Sequence, residues 1–523
     1  MKGTSTMSQK IATRQRLENF LSHIEKYHII ILITYFCVLV GYQWPINGFL
    51  SGHLGYGGPH LYAGAINLDA TSNFIVNSIG SDGKYFTYHH QPTLGFYIYN
   101  IISHLGTTYA DKLYIGYLVS IIILCISWIT VYYVLINIGI NKTISAFIVT
   151  IFSTSTYFYD HRALLNFDQL TVLCISMLLW SFSTLEKIRQ YKLNNIKKII
   201  IPLLLIIICL NISWYIYPIT ALYFITSIII RFRNKENWKE FFIYGSIIAI
   251  SMCCIIGIMV YKNYYYLGTL SDLKLLFKRN AASADSVAQA LYKPTYELVK
   301  LLLIRFKEVM PKLTVIACAL PFLLYAFISN NDTKRFKNGN LLTIAFSFIV
   351  GGFTFILLTR YWSFIHPFCY PLMAVGFYIV FAIFLNKLNK KAMLIIPLLS
   401  IISVAISIKN VHKDFKNAKM HADSTYALID LMDNEFNGEY AFDIDNAHNE
   451  KFNTGMLLFV TSYPHRRYVK DDKIWPSDKI VSVKCLDKKK GVLTFVTKDK
   501  SKSFIVEFGN KKYQRYNEET NNQ

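Results

Sequence analysis

The chain has 523 residues, of which 53% are hydrophobic and only 16% charged, and apolar runs long enough to cross a bilayer recur from end to end. That excludes a soluble globule and makes membrane-spanning helices the dominant element. The formal charge of +22 would suit nucleic acid, but Lys and Arg fall in short clusters between apolar runs, as cytoplasmic loops do, and no nucleic-acid-binding motif accompanies them. No nucleic-acid partner is expected.

Residues 1–27 carry Lys10, Arg14, Arg16 and Lys26 and are expected to be cytoplasmic. The first span, roughly 28–48, lacks a small-residue cleavage site and is expected to be retained rather than removed as a signal peptide. The loop 49–111 is then extracytoplasmic. Spans follow at about 113–137, to about Tyr157, and after Tyr159-Asp160-His161-Arg162. The basic stretch 186–198 lies inside. The apolar block 199–231, with Trp214 and Pro218 midway, splits into two short helices and ends at the basic stretch 231–239. A span at about 242–261 opens onto an outside loop, 262–311. Further spans lie near 312–329, 341–358, 364–385 and 393–408. This makes about eleven helices over 28–409, with the main basic loops on one side.

From about 410 the pattern changes. Residues 420–435 have the periodicity of an amphipathic helix. The alternating segments YAFDID, LLFVTSY, KIVSVKCL, VLTFVTK and SFIVEF predict strands. Residues 410–523 are therefore expected to form a small extracytoplasmic α/β or α+β domain. All of the nine cysteines except Cys485 lie inside apolar runs, which excludes an evident disulfide framework or cysteine metal site.

The stretch Ile66–Gly106 is too polar for membrane core and concentrates chemistry in the first loop. Asp69 is placed to take a proton from an attacking hydroxyl or to orient it; alternatively it caps an interfacial helix beginning at ATSNFIVNSI. Asp82 is a turn residue beside Gly83. His89 and His90 precede Gln91-Pro92 and a surface helix over 93–105; the pair can bind phosphate or simply fill the turn. Adjacent histidines point different ways, no cysteine or acid lies at metal-ligand spacing, and no metal site is assigned; metal dependence stays open. Arg162 and Asp168 flank the start of the fourth span, and Asp168 is either functional or paired with Arg162 or Arg360. Arg360-Tyr361 and His366-Pro367 stand at the outer end of a late span. An arginine there suits a phosphate, whose oxygens its fork can grip in pairs, or a lipid headgroup.

These residues resemble a known family. The elements Leu68-Asp69-Ala70-Thr71, Ser81-Asp82-Gly83-Lys84-Tyr85 and His90-Gln91-Pro92-Thr93-Leu94-Gly95 are similar to the first loop of GT-C membrane glycosyltransferases, especially bacterial members akin to protein O-mannosyltransferases and the lipid A aminoarabinose transferase. Those enzymes carry an Asp-Glu pair, a Gly-Asp-like turn and a His-Pro-Pro-Leu-type motif in the same order. Here Ala70 replaces the second acid, and Gln91 with the extra Thr93 loosens the Pro motif. Serotype-converting O-antigen glucosyltransferases share the plan and suit this looser match. The resemblance implies a multi-pass protein of the bacterial cytoplasmic membrane that uses a polyprenyl-phosphate-linked sugar as donor at the outer face. The acceptor would be a glycan such as O antigen or lipopolysaccharide, a lipid or a protein. Asp69 would be the general base. Arg360, His90 and Arg162 would hold the donor phosphate, and Asp168, Tyr361 and His89 would contact substrate. The competing expectations are a transporter or flippase, or a polymerase, of lipid-linked saccharides; no internal repeat of the kind transporters show is present.

Overall fold

The computed structural model describes 94–154, 167–190, 196–267, 339–358, 370–386, 395–437, 440–447 and 476–516, with shorter pieces at 32–38, 65–66, 76–79, 85–87, 451–452 and 466–468 and a few single positions. Within these residues the chain is mostly helical and ends in a small sheet. In chain order the elements are β1 (Val76–Ile79), β2 (Tyr85–Thr87), α1 (Leu94–Ser103), α2 (Tyr109–Asn137), α3 (Lys142–Ser153), α4 (Phe167–Gln190), α5 (Ile196–Ile212), α6 (Tyr217–Arg233), α7 (Lys239–Leu267), α8 (Gly339–Leu358), α9 (Tyr370–Leu385) and α10 (Ile395–Glu435). The C-terminal strands are β3 (Tyr440–Asn446), β4 (Arg466–Tyr468), β5 (Ile480–Asp487), β6 (Val492–Thr497), β7 (Ser503–Glu507) and β8 (Gln514–Arg515).

Four helices among the described residues are long and apolar enough to cross a membrane: Ala110–Asn137, Leu170–Ile188, Trp214–Arg233 and Lys239–Tyr261. The last faces outward along most of its length, with Phe242, Ile243, Ile247, Ile250 and Ile258 exposed, as a lipid-contacting helix does. Shorter apolar helices occupy the sites expected for the third, fifth and later spans. The expected span near 312–329 lies outside the described residues.

The block 199–231 breaks as its sequence predicts. Ser213 is extended, Trp214–Ile216 forms a 3₁₀ turn, and Pro218 stands in the first turn of α6, where its missing N–H costs nothing. A capping box starts α2: the Thr108 side chain accepts from the Asp111 N–H at 3.1 Å, and the Asp111 carboxylate accepts from the Thr108 N–H at 3.1 Å.

The helices assemble through small residues and aromatics. A Cβ on Gly351 of α8 would lie 2.6 Å from the Ile219 Cα of α6, so only glycine permits that approach. Gly376 of α9 does the same against the Ala345 carbonyl of α8, at 2.5 Å. Between them, Trp128 of α2 packs edge-on against Phe152 of α3 at 4.6 Å, and Phe152 meets Tyr378 of α9 at 4.8 Å.

Two findings depart from the sequence reading. Residues 76–79, the described end of the stretch expected to begin an interfacial helix, form a strand instead: Val76–Ile79 pairs antiparallel with Tyr85–Thr87. The β-branched Val76 and Ile79 and the Gly80-to-Gly83 link favour a hairpin over a helix here. The second departure is α10, which runs unbroken for 41 residues and so joins the span expected at 393–408 to the amphipathic helix expected at 420–435. With neither Gly nor Pro after Pro397, nothing in it stops a helix.

The sheet has strand order β4-β3-β5-β6-β7-β8. β3 pairs parallel with both β4 and β5, and the remaining neighbours pair antiparallel. Phe436, the residue after α10, packs on the sheet and meets Tyr440, Phe442 and Phe504 edge-on at 5.1, 5.6 and 5.8 Å. The expected strands at 440–445, 479–486, 492–498 and 503–508 correspond to β3, β5, β6 and β7; the one expected at LLFVTSY lies outside the described residues.

Candidate active site

Helix pairing sorts the described termini to two ends of the bundle. At one end, the C-terminus of α3 meets α10 and the helical piece at 32–38: the Tyr35 hydroxyl lies 2.9 Å from Ser407 Oγ and donates to the Ser153 carbonyl at 3.3 Å. The start of α4 reaches the α5–α6 turn, where Thr171 donates to Ser213 Oγ at 3.3 Å. The C-terminal part of α8 joins them, with Phe355 edge-on to Tyr215 at 4.8 Å. The short connection from α1 folds tightly onto the start of α2, since a Cβ on Gly106 would come within 2.6 Å of the Lys112 nitrogen. The C-terminal sheet stands on this end through α10.

The opposite end gathers the C-termini of α2, α4, α6 and α9. The Asn141 N–H donates to Asn386 Oδ1 at 3.0 Å, and Asn386 donates back to the Gly139 carbonyl at 3.4 Å. Arg231 and Glu186 close the pair α4–α6 here at 2.7 Å. Lys142, Lys187, Arg231, Arg233, Lys235 and Lys239 lie at this basic end.

Of the sequence-expected site residues, only Asp168 lies among the described residues. Asp168 is the second residue of α4. Asp69, His89, His90, Arg162, Arg360 and Tyr361 lie outside the described residues. Their described neighbours are α1, which starts four residues after His90; α4, which starts five after Arg162; and α8, which ends two before Arg360.

Two residues that sequence reasoning missed enrich this end with polar groups. Tyr426, on the face of α10 toward the start of α2, has a buried hydroxyl with no hydrogen-bond partner. Burial pushes its phenol up, and the neighbouring Tyr114 and Asp111 add to that. Asp111 is the capping acid of α2 at the close of the first loop. Nothing in the sequence distinguished Tyr426 from the other aromatics of an amphipathic helix, because its significance depends on α10 continuing past the membrane segment. A free buried hydroxyl is a ready partner for a polar substrate.

One turn earlier on the same helix, His421 is 2% exposed, packs edge-on to Phe508 at 4.6 Å and has an unpartnered Nδ1. Burial, with help from Lys451, lowers its pKa to about 4. Among the described residues no three His, Cys, Asp or Glu side chains converge as metal ligands.

An apolar pocket lies toward the basic end, lined by Val131, Leu135, Phe152, Leu179, Leu341 and Tyr378; it holds none of the candidate polar residues.

No protein-family model and no curated protein matches the chain. Among solved structures it is similar to ArnT from Cupriavidus metallidurans in the apo state, at 10% identity and a TM-score of 0.46, over 84% of this chain and 85% of that one. It is also similar to the apo oligosaccharyltransferase of Archaeoglobus fulgidus, at 13% identity and a TM-score of 0.43, over 84% of this chain and 64% of that one. The chain therefore spans just under two-thirds of the oligosaccharyltransferase.

Proposed function

We propose that the chain is an integral-membrane glycosyltransferase that moves a sugar from a polyprenyl-phosphate-linked donor to a cell-envelope acceptor at the outer face of the cytoplasmic membrane. The acceptor is a glycan such as O antigen or lipopolysaccharide, a lipid or a protein. In this reading Asp69 removes the acceptor hydroxyl proton as the oxygen attacks C1 of the donor sugar. The C1–O bond to phosphate breaks, and the lipid phosphate leaves with the bonding pair. Arg360, His90 and Arg162 neutralise the phosphate charge, which a site shielded from water makes the largest single contribution. Asp168, Tyr361 and His89 orient the sugars.

The observation that carries the reading is the sorting of helix termini. The elements next to the first-loop motif (α1), Asp168 (α4) and Arg360 (α8) share one end of the bundle, and the basic connections share the other. The positive-inside rule would make the basic end cytoplasmic, which supports an outside position for the first loop and the C-terminal sheet. The solved relatives bear transferase names, which accords with this reading without carrying it.

The experiment is sugar transfer by the detergent-solubilised chain, supplied with polyprenyl-phosphate sugars and cell-envelope acceptor. Transport has no meaning in detergent, so turnover separates the transferase from a flippase. Absence of transfer across a panel of polyprenyl-phosphate hexoses and pentoses, with the protein folded, would favour the transporter reading.

A further inference from the structure

The exposed face of α10 changes character abruptly along one line. Leu399, Ile402 and Ile406 are 43%, 45% and 52% exposed. They occupy the side of the helix opposite its packed residues Ser400, Ser403, Val404, Ser407 and Val411. At about 100° per residue, Lys409, Lys413 and Lys416 lie within about 80° of Ile406 around the helix, and Lys419 lies further round on the exposed side. All four lysines are exposed. The line ends one turn later at Asp423, whose carboxylate lies 3.9 Å from the ammonium of Lys511. An exposed apolar face thus runs directly into a cationic one with no intervening polar turn.

The spacing fits the layers of a bilayer. Ile406 to Lys409 is a rise of about 4.5 Å, and Lys409 to Lys419 about 15 Å. The headgroup region of one leaflet is about 5–7 Å deep beyond the hydrocarbon. If Leu399, Ile402 and Ile406 touch acyl chains, Lys409 and Lys413 stand at headgroup depth. Lys416 can bend its ammonium back toward the same layer. A compact, strongly hydrated ammonium suits the phosphate of a lipid headgroup as a point charge.

We propose that Lys409, Lys413 and Lys416 form a binding face for the phosphate headgroups of anionic phospholipids where α10 leaves the membrane, with Lys419 adding its charge from above that layer, within about a Debye length of it. It fixes the depth and tilt of the helix that carries the C-terminal sheet above the candidate site. The proposal rests on the membrane reading given above, and it concerns bilayer lipid, not the polyprenyl donor.

The test is native mass spectrometry of the full chain released from nanodiscs made of equal parts phosphatidylglycerol and phosphatidylcholine. The wild type retains phosphatidylglycerol over phosphatidylcholine by about fivefold or more, the factor one lysine near an anionic surface contributes. Replacing the four lysines by Gln brings the ratio close to one, and replacing them by Arg preserves it. Replacing Lys484 of β5 and Lys488, Lys489 and Lys490 of the β5–β6 turn by Gln leaves it unchanged. Equal selectivity in the wild type and the four-Gln variant, or equal loss in the β5–β6 variant, overturns the proposal. So does a four-Gln variant that changes only KM for a polyprenyl-phosphate donor. A wild-type chain that enters neutral nanodiscs yet shows no preference overturns this proposal alone; one that fails to enter any nanodisc overturns it together with the membrane reading.

Discussion

Arg231 Nη2 donates to both carboxylate oxygens of Glu186, at 2.7 and 2.8 Å, in a pocket where the two side chains are 3% and 6% exposed. Other groups of the cluster are paired as well, while the buried Arg231 Nε has no hydrogen-bond partner. Tyr223 donates to Glu186 Oε1 at 3.0 Å, Arg231 Nη1 donates to the Ser227 carbonyl at 2.8 Å, and the guanidinium lies 3.4 Å above the Phe241 ring. The cluster ties α4, α6 and α7 together at the basic end, away from the candidate site.

Removing one member of this pair strands the other charge in a dry environment. Glu186→Ala is expected to destabilise the fold by about 3–5 kcal/mol, and Glu186→Met with Arg231→Met to recover most of that loss. Thermal melts of the two variants in detergent check this. A single variant as stable as the wild type would show that water reaches the pair.

His421 gives the upper half of α10 a pH dependence. Its pKa falls from 6.5 to about 4 in the folded chain, so the unfolded chain takes up a proton first as pH drops. The stabilisation from burying the neutral ring is complete above about pH 6.5 and is lost progressively toward pH 4. It amounts to on the order of 3 kcal/mol. The melting temperature of the wild type should fall between pH 7 and 5, and His421→Phe should flatten that part of the profile. An unchanged slope in the variant would assign the acid sensitivity to other groups.

Gly351 tests the helix packing. A Cβ there meets the Ile219 backbone, its Cα at 2.6 Å and its nitrogen at 2.7 Å, atoms that cannot swing aside. Gly351→Ala is expected to cost about 1–3 kcal/mol by forcing α8 away from α6. Gly257→Ala on α7, where a Cβ meets nothing within 4 Å, should change stability by less than about 0.5 kcal/mol. Similar melting temperatures for the two variants would contradict the close approach.

The parts of the fold that could be read from the sequence are those where one local rule decides. Hydropathy located the apolar helices among the described residues, Trp214 and Pro218 announced the break between α5 and α6, and period-2 alternation marked β3, β5, β6 and β7. Local rules failed where tertiary context decided. The segment 76–79 is short and moderately apolar, and its pairing with Tyr85–Thr87 chose strand over helix. The polarity change at Lys409 suggested a boundary, yet a change in what surrounds a helix does not end it. The Glu186–Arg231 pair was invisible because its partners are 45 positions apart, and each alone reads as part of a basic loop. Tyr426 was missed for the same reason, since it meets the start of α2 only in the folded chain. The candidate catalytic residues were legible as a motif order in the first loop, with Ala70 where the resembled family has a second acid.

Arg360 is expected to act on the leaving phosphate. Arg360→Gln should lower kcat by about 100-fold with a smaller change in KM, because the charge it meets develops mainly as the C1–O bond breaks. Steady-state transfer rates at several donor concentrations check the split. A change confined to KM would make Arg360 a donor-binding residue without a role in the chemical step.

Asp69→Asn bears most directly on the proposed chemistry. With expression and melting temperature matched to the wild type, transfer of labelled sugar from a polyprenyl-phosphate donor to the acceptor is measured in detergent. Loss of about 100-fold or more in turnover, with donor binding retained, is the expected result for a general base. Wild-type turnover by Asp69→Asn would contradict the assignment and remove the first-loop carboxylate from the reaction.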